Sequence, residues 1–230
     1  MKFMKVYSQG DQAIVVSLKG ALSPKATERL LILRQYLLEQ DYPFITEIVP
    51  TETDMLISYD ARQMMKHLDI SSPFLYMKAL IEQIDLSHET WDEKRHCIKV
   101  PVYYGGDNGP HFESVLEELG LTRETYIQQH TAPEYFVSMM GFSPGFPYLS
   151  GLPETLAVHH TANEKQFIPA GSVILENKKC GITTTDIYED WLVIGYTPLK
   201  LFDVHRKDMV LMSIGDHVKF YDAEERGEAK

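Results

Sequence analysis

Hydrophobic and polar positions along this chain alternate with two periods, and the period changes where turn formers cluster. Gly10-Asp11 is a turn signal, and Ala13-Ile14-Val15-Val16 after it reads as a strand. Ser23-Pro24 predicts a helix start, because Ser caps a helix well and Pro suits its first position. Ala26, Leu30, Leu33 and Leu37 follow at helical spacing. Tyr42-Pro43 ends that stretch, and residues 45–49 and 55–59 read as two short strands. Ser72-Pro73 repeats the helix opening, with Phe74, Met77, Ile81 and Ile84 as the apolar face.

Residues 86–96 turn polar and charged, with Trp91 as their one large apolar residue, and a domain boundary is expected there, dividing 1–92 from 93–230. Strict alternation resumes with Ile98, Val100, Val102 and Tyr104, the pattern of a half-buried strand. The loop Gly105 to Pro110 follows. Phe112, Val115, Leu116 and Leu119 predict a helix closed by Gly120, and Thr122 caps another that carries Tyr126, Ile127 and His130. Tyr135, Val137 and Met139 alternate again. Beyond Phe142 the chain is strand-rich, at 172–175, 191–196, 209–211 and 218–221, with turns between. Many short strands with regular turns indicate a barrel or a sandwich. The fold class expected is α+β.

Composition narrows the functional classes. The 230 residues are 44% hydrophobic and 24% charged, as in a globular chain. The net charge of −11 and the lack of a Lys/Arg cluster argue against nucleic acid or an anionic membrane as partner. Cys97 and Cys180 form no CxxC pair, so neither a disulfide framework nor a zinc site is expected. His159 and His160 are adjacent, and adjacent strand residues face opposite sides, so no metal is expected. With no signal peptide and no membrane-length apolar run, a cytoplasmic location is expected.

The stretch richest in candidate chemistry is residues 141–153, with Phe142, Pro144, Gly145, Phe146 and Tyr148 at its centre. Prolines stiffen it, glycines admit close approach and aromatics offer a contact surface. Gly141-Phe142-Ser143-Pro144-Gly145 has the spacing of a serine-hydrolase elbow. Pro144, however, has no N–H for an oxyanion hole, and Pro147 opposes the helix that must follow. At Pro169-Ala170-Gly171-Ser172, consecutive backbone N–H groups suit an anion nest, and a plain turn suits the sequence equally. His130 offers an acid/base group or a packed histidine.

These stretches together resemble the family that holds the B subunit of 5-oxoprolinase, the sporulation kinase inhibitor KipI, and the subunit-1 domain of allophanate hydrolase and urea carboxylase. The resemblance rests on Gly10-Asp11-Gln12-Ala13, Tyr104-Gly105-Gly106, His130-Thr131, the 141–153 run, Pro169-Ala170-Gly171-Ser172-Val173, Thr197-Pro198-Leu199, Leu201-Phe202-Asp203 and Gly215-Asp216-His217-Val218. It implies a small N-terminal α/β domain followed by a cyclophilin-like β-barrel. It also implies partners, subunits C and A, and an ATP-dependent opening of 5-oxoproline with Mg in the complex. A KipI-like member would bind a sensor histidine kinase instead, and an allophanate hydrolase-like member would act on another small amide. The 141–153 loop and the Pro169 turn would line the site, with His130 catalytic. The family's Pro-Arg pair reads Glu164-Lys165 here, and its Gln-Thr-Gly-Ile-Tyr-Pro run begins at Lys179. Lys165 keeps the arginine's charge and loses its two-pronged donor set. Both lysines are expected at the ligand.

Overall fold

The computed structural model describes residues 4–18, 24–86, 96–159, 162, 164–225 and 227. The chain forms two compact units, 1–93 and 94–230. The polar stretch 87–95, which holds the expected boundary, lies outside the described residues, as do Ser23 and His160.

The first unit is a four-stranded antiparallel sheet in the order β1-β2-β4-β3, formed by β1 (Met4–Ser8), β2 (Ala13–Leu18), β3 (Ile45–Pro50) and β4 (Asp54–Tyr59). Alternation puts Ile14 and Val16 of β2 and Met55, Ile57 and Tyr59 of β4 into the core. Helix α1 (Pro24–Glu39) buries Leu30, Leu33 and Leu37 in the same cluster, and α3 (Pro73–Gln83) adds Met77 and Ile81. Ser72 caps α3 by accepting from Leu75 N. Two elements of this unit have little local signature. Strand β1 is a half-exposed edge with weak alternation. Helix α2 (Ala61–His67) is short and starts where the Asp60 carboxylate accepts the Gln63 N–H.

The second unit is a closed seven-stranded barrel in the order β10-β7-β6-β13-β5-β12-β9. Its strands are β5 (Cys97–Tyr104), β6 (Tyr135–Met140), β7 (Pro147–Ser150), β9 (Ser172–Glu176), β10 (Lys179–Ile182), β12 (Leu192–Tyr196) and β13 (His217–Asp222). A parallel pairing of β13 with β5, from His217↔Cys97 to Asp222↔Val102, joins distant parts of the chain. Period-2 alternation sorts the side chains: Val173, Leu175, Leu192 and Ile194 fill the interior, whereas Ile174 and Val193 belong to a separate apolar cluster. Helices α4 (Phe112–Leu119) and α5 (Arg123–Thr131) add Phe112, Val115, Leu116 and Tyr126 to the interior cluster. The separate cluster holds Phe146, Ile168 and Trp191 and underlies a two-stranded sheet of β8 (Gln166–Ile168) and β11 (Ile187–Glu189). Residues 209–211, expected as a strand, make one isolated bridge, Phe202↔Val210.

Candidate functional site

Register fixes which loops share an end of the barrel. Met140 of β6 pairs with Pro147 of β7, Gly181 of β10 with Tyr148, Ile182 with Val173, and Tyr196 of β12 with Ser172. The segments 141–146, 169–172, 183–186 and 197–211 therefore meet at one mouth. Side chains tie them together. Ser143 Oγ and Thr184 Oγ1 share a hydrogen bond of 2.9 Å. A Cβ on Gly145, at φ +78°, would stand 3.2 Å from Phe202 Cβ. Arg206 donates to the carbonyls of Leu201 and Met209 and holds the 201–211 hairpin closed.

The aromatic run divides in two. Its first part is a tight turn, with Gly141 N donating to Phe146 O and Phe146 N to Ser143 O. Its second part is strand β7, so the expected single long loop is corrected. Pro147 starts that strand, so no helix follows the turn, as its lack of an N–H suggests, and Leu149 faces the interior. Phe142 sits at φ +66°, a left-handed conformation that costs a bulky residue about 1–3 kcal/mol. It is 55% exposed, and its ring packs 5.0 Å from Trp191 and 5.7 Å from Phe146. Phe146 is 1% exposed, so the ligand contact expected of it is replaced by a packing role. Pro144 is exposed on the turn, and Tyr148 stacks edge-on against Phe146.

The Pro169–Ser172 segment is a turn with its donors taken. Ala170 N donates to Asp186 Oδ1 at 2.9 Å, Gly171 N to Thr183 O at 2.8 Å and Ser172 N to Thr183 Oγ1 at 2.9 Å. Pro169 O accepts the hydroxyls of both Thr183 and Ser172. The anion nest is thereby corrected, since none of these three N–H groups is left for a ligand. Gly171 is required here: φ is +88°, and a Cβ would lie 2.5 Å from Thr197 O.

Two clefts flank this turn and share Tyr196. One, of about 400 Å³, is lined by Ala170, Gly171, Thr183, Thr184 and the segment from Tyr196 to Val204. The other, of about 330 Å³, is lined by Asp107, Asn108, Gln166, Phe167, Pro169 and Ser172 among others. Both fall in the size range of small-molecule sites, ~300–1,000 Å³. A larger cleft of about 620 Å³ lies apart from the mouth, lined by Arg123, Glu124, Asp222, Glu224 and Glu225 among others. Among the described residues its one cation, Arg123, is already bonded to Tyr104 O and Glu224, and the carboxylates around it do not suit an anion. The mouth is the better candidate despite its smaller clefts.

His130 lies elsewhere. It is fully buried in the barrel, with Nδ1 2.8 Å from Tyr104 Oη and Nε2 3.8 Å from Cys180 Sγ. The rings of Tyr126, Tyr135 and Phe220 surround it, and Tyr135 Oη donates to its carbonyl. Burial pushes its pKa down to about 3 and that of the Cys180 thiol up to about 12. A neutral imidazole with no exposed surface is a core residue, so the acid/base expectation is not carried into the site. Lys165 and Lys179 also miss the clefts. Lys165 pairs with Glu189 at 2.9 Å, and the hydrogen bond to that carboxylate, followed by its charge, raises the lysine's pKa. Lys179 rests its ammonium 5.8 Å from the Tyr148 ring centre. Tyr196, Thr197, Lys200 and Asp203, which line the larger mouth cleft, were not among the expected site residues. Their signal was the Thr197-Pro198 punctuation next to a β-rich run.

Comparison with known proteins places this arrangement. The family described as carboxyltransferase domain, subdomain C and D, matches residues 4–212. The 5-oxoprolinase B subunit of Bacillus subtilis is 33% identical over 220 residues, 94% of this chain and 92% of that protein. A conserved uncharacterized protein of Pyrococcus horikoshii, PH0987, superposes with a TM-score of 0.56 at 28% identity, covering 98% of this chain and 100% of that one. The TTHA0988 structure superposes with a TM-score of 0.76 at 24% identity over 92% of this chain, which spans 40% of that longer chain; this likeness is one of fold. The chain belongs to the carboxyltransferase domain, subdomain C and D, family and, within it, to the relatives of the 5-oxoprolinase B subunit.

Proposed function

We propose that this chain is the B subunit of a 5-oxoprolinase, which works with subunits C and A to open 5-oxoproline to glutamate at the expense of ATP, with Mg in the complex. The observation that carries the reading is the near-full-length similarity to curated 5-oxoprolinase B subunits. The barrel mouth supports it, because rigid loops there enclose clefts sized for a small ligand.

The contribution assigned to this chain is binding and orientation. The Pro169–Ser172 turn is braced by Thr183 and Asp186, so the cleft wall is held before a ligand arrives. The Ser143–Thr184 hydrogen bond ties the 141–146 turn to the 183–186 segment at the same mouth. Water must add to the lactam carbonyl and the ring C–N bond must break, with the proton going to the departing nitrogen. No step of ATP chemistry is assigned to this chain, whose turn N–H groups are occupied.

The test is glutamate formation from 5-oxoproline and ATP by this chain mixed with its cognate subunits C and A. Activity that vanishes when this chain is left out is the expected result. No 5-oxoproline-dependent turnover in an assembled complex overturns the reading; slowed autophosphorylation of a sensor histidine kinase under the same conditions would replace it.

A further inference from the structure

Among the described residues, the larger mouth cleft is lined by one cationic and one anionic side chain, Lys200 and Asp203. They stand three positions apart in the Tyr196–Val204 segment that lines the cleft. Lys200 has no ion-pair partner among the described residues, so its ammonium is not already spent. Asp203 is held in place: its Oδ1 accepts the His205 N–H at 2.9 Å, and its backbone N donates to Met209 O at 2.8 Å. Its Oδ2 has no hydrogen-bond partner among the described residues. The His205 N–H, and after it the nearby charges of Lys200, His205 and Arg206, favour the ionised carboxylate. The remaining lining is hydroxyl, aromatic and aliphatic, and includes Thr183, Thr184, Tyr196, Leu199 and Phe202. A cation donor and a carboxylate acceptor set in a partly apolar cleft match a small ring that carries a carboxylate and an N–H.

We propose that Lys200 pairs with the carboxylate of 5-oxoproline and Asp203 accepts its ring N–H, so that the cleft takes a lactam only when it bears a free carboxylate. This rests on the 5-oxoprolinase reading for the ligand's identity. It adds a discrimination: free 5-oxoproline is accepted, whereas the same ring at the end of a peptide, its carboxylate consumed in an amide bond, is refused. A site built to bond a given polar group rejects analogues that lack it, because the site's own group is left without a partner.

The experiment is calorimetric titration of the full chain with 5-oxoproline, 2-pyrrolidinone, cyclopentanecarboxylate and 5-oxoprolinamide, paired with the KM for 5-oxoproline in the reconstituted complex. The free acid is expected to bind at least about tenfold more tightly than the other three. Lys200→Gln is expected to weaken 5-oxoproline about tenfold and leave 2-pyrrolidinone unchanged, and Lys200→Arg to restore most of the loss. Asp203→Asn is expected to weaken 5-oxoproline and leave cyclopentanecarboxylate unchanged. Equal losses for charged and uncharged ligands, or an unchanged KM in both variants, overturn the assignment. Turnover of 5-oxoproline with both variants at the wild-type KM keeps the enzymatic reading and removes this one. Selective binding to the chain without turnover in the complex does the reverse. An absence of saturable binding to the chain, with unchanged variant kinetics, removes the cleft assignment outright.

Discussion

Replacing His130 by phenylalanine separates a buried core histidine from a working acid/base group. The wild-type ring is enclosed by aromatic neighbours, with centroids 4.8 Å from Phe220 and 5.4 Å from Tyr135. A phenyl ring keeps the shape and removes both nitrogens. Tyr104 Oη then loses its partner at 2.8 Å, and a buried hydroxyl left alone costs about 1–3 kcal/mol. The pH dependence gives the sharper signature. In the unfolded chain the imidazole takes up a proton below about pH 6.5, whereas in the folded chain it does so only near pH 3. The stabilisation from a neutral His130 is therefore complete above pH 6.5 and is lost as pH falls toward 3. One such proton is worth about 1.36 kcal/mol per pH unit, or about 2 kcal/mol between pH 6.5 and 5. Urea unfolding at pH 7, 6 and 5 should show the wild-type advantage over His130→Phe shrinking by about that amount. Adding Tyr104→Phe should recover part of the variant's loss. The variant should also bind 5-oxoproline like the wild type while folded, because His130 lines no mouth cleft. A stability difference that stays constant with pH, or a His130 ring that titrates near 6.5 by NMR, refutes the reasoning.

Three further outcomes follow from the mouth. Gly171→Ala places a Cβ 2.5 Å from Thr197 O at a φ of +88°, so it should destabilise by more than about 2 kcal/mol in thermal unfolding; a change inside about 0.5 kcal/mol would contradict the geometry. Trp191→Ala removes the platform under Phe142 and Phe146 and should cost about 3 kcal/mol, with loss of 5-oxoproline binding by calorimetry; unaltered binding would detach the aromatic turn from the site. Lys165→Ala removes an exposed ammonium from a pair with the half-buried Glu189, so the urea midpoint should move little and the 5-oxoproline affinity should stay within about twofold; a larger loss of affinity would place Lys165 at the ligand.

Local signals in the sequence identified the elements that local chemistry specifies. The Ser72 and Thr122 caps and the left-handed Gly120 each mark a helix end, and each is found in that role. The long alternating strand over Ile98, Val100, Val102 and Tyr104 was equally plain. What the sequence hid depends on distant partners. Strands β7, β8, β10 and β11 have three or four residues each, too few to show a period. Strand β10 also contains Gly181, where a Cβ would stand 2.9 Å from the Phe146 ring, so a residue unfavourable to strands is kept by packing from another segment. Parallel closure of the barrel by β13 on β5 has no local mark at all. The site divides the same way. Composition singled out Phe142 and Gly145, and the sharp turn at Gly171 was visible from Pro169-Ala170-Gly171. His130 reads from the sequence as either an acid/base group or a packed residue; only the fold shows that it faces inward. Lys200 carried no motif of its own, and Asp203 stood in the Leu201-Phe202-Asp203 stretch without being expected at the ligand; both join the site because β12 ends beside the Gly171 turn.

The most direct test of the mouth as the working end is amide hydrogen exchange on the assembled complex, with and without 5-oxoproline. Slowed exchange is expected in segments 169–172, 183–186 and 197–204. Protection confined to the cleft between α5 and the end of β13, around Arg123 and Glu224, with none at the mouth, would contradict it.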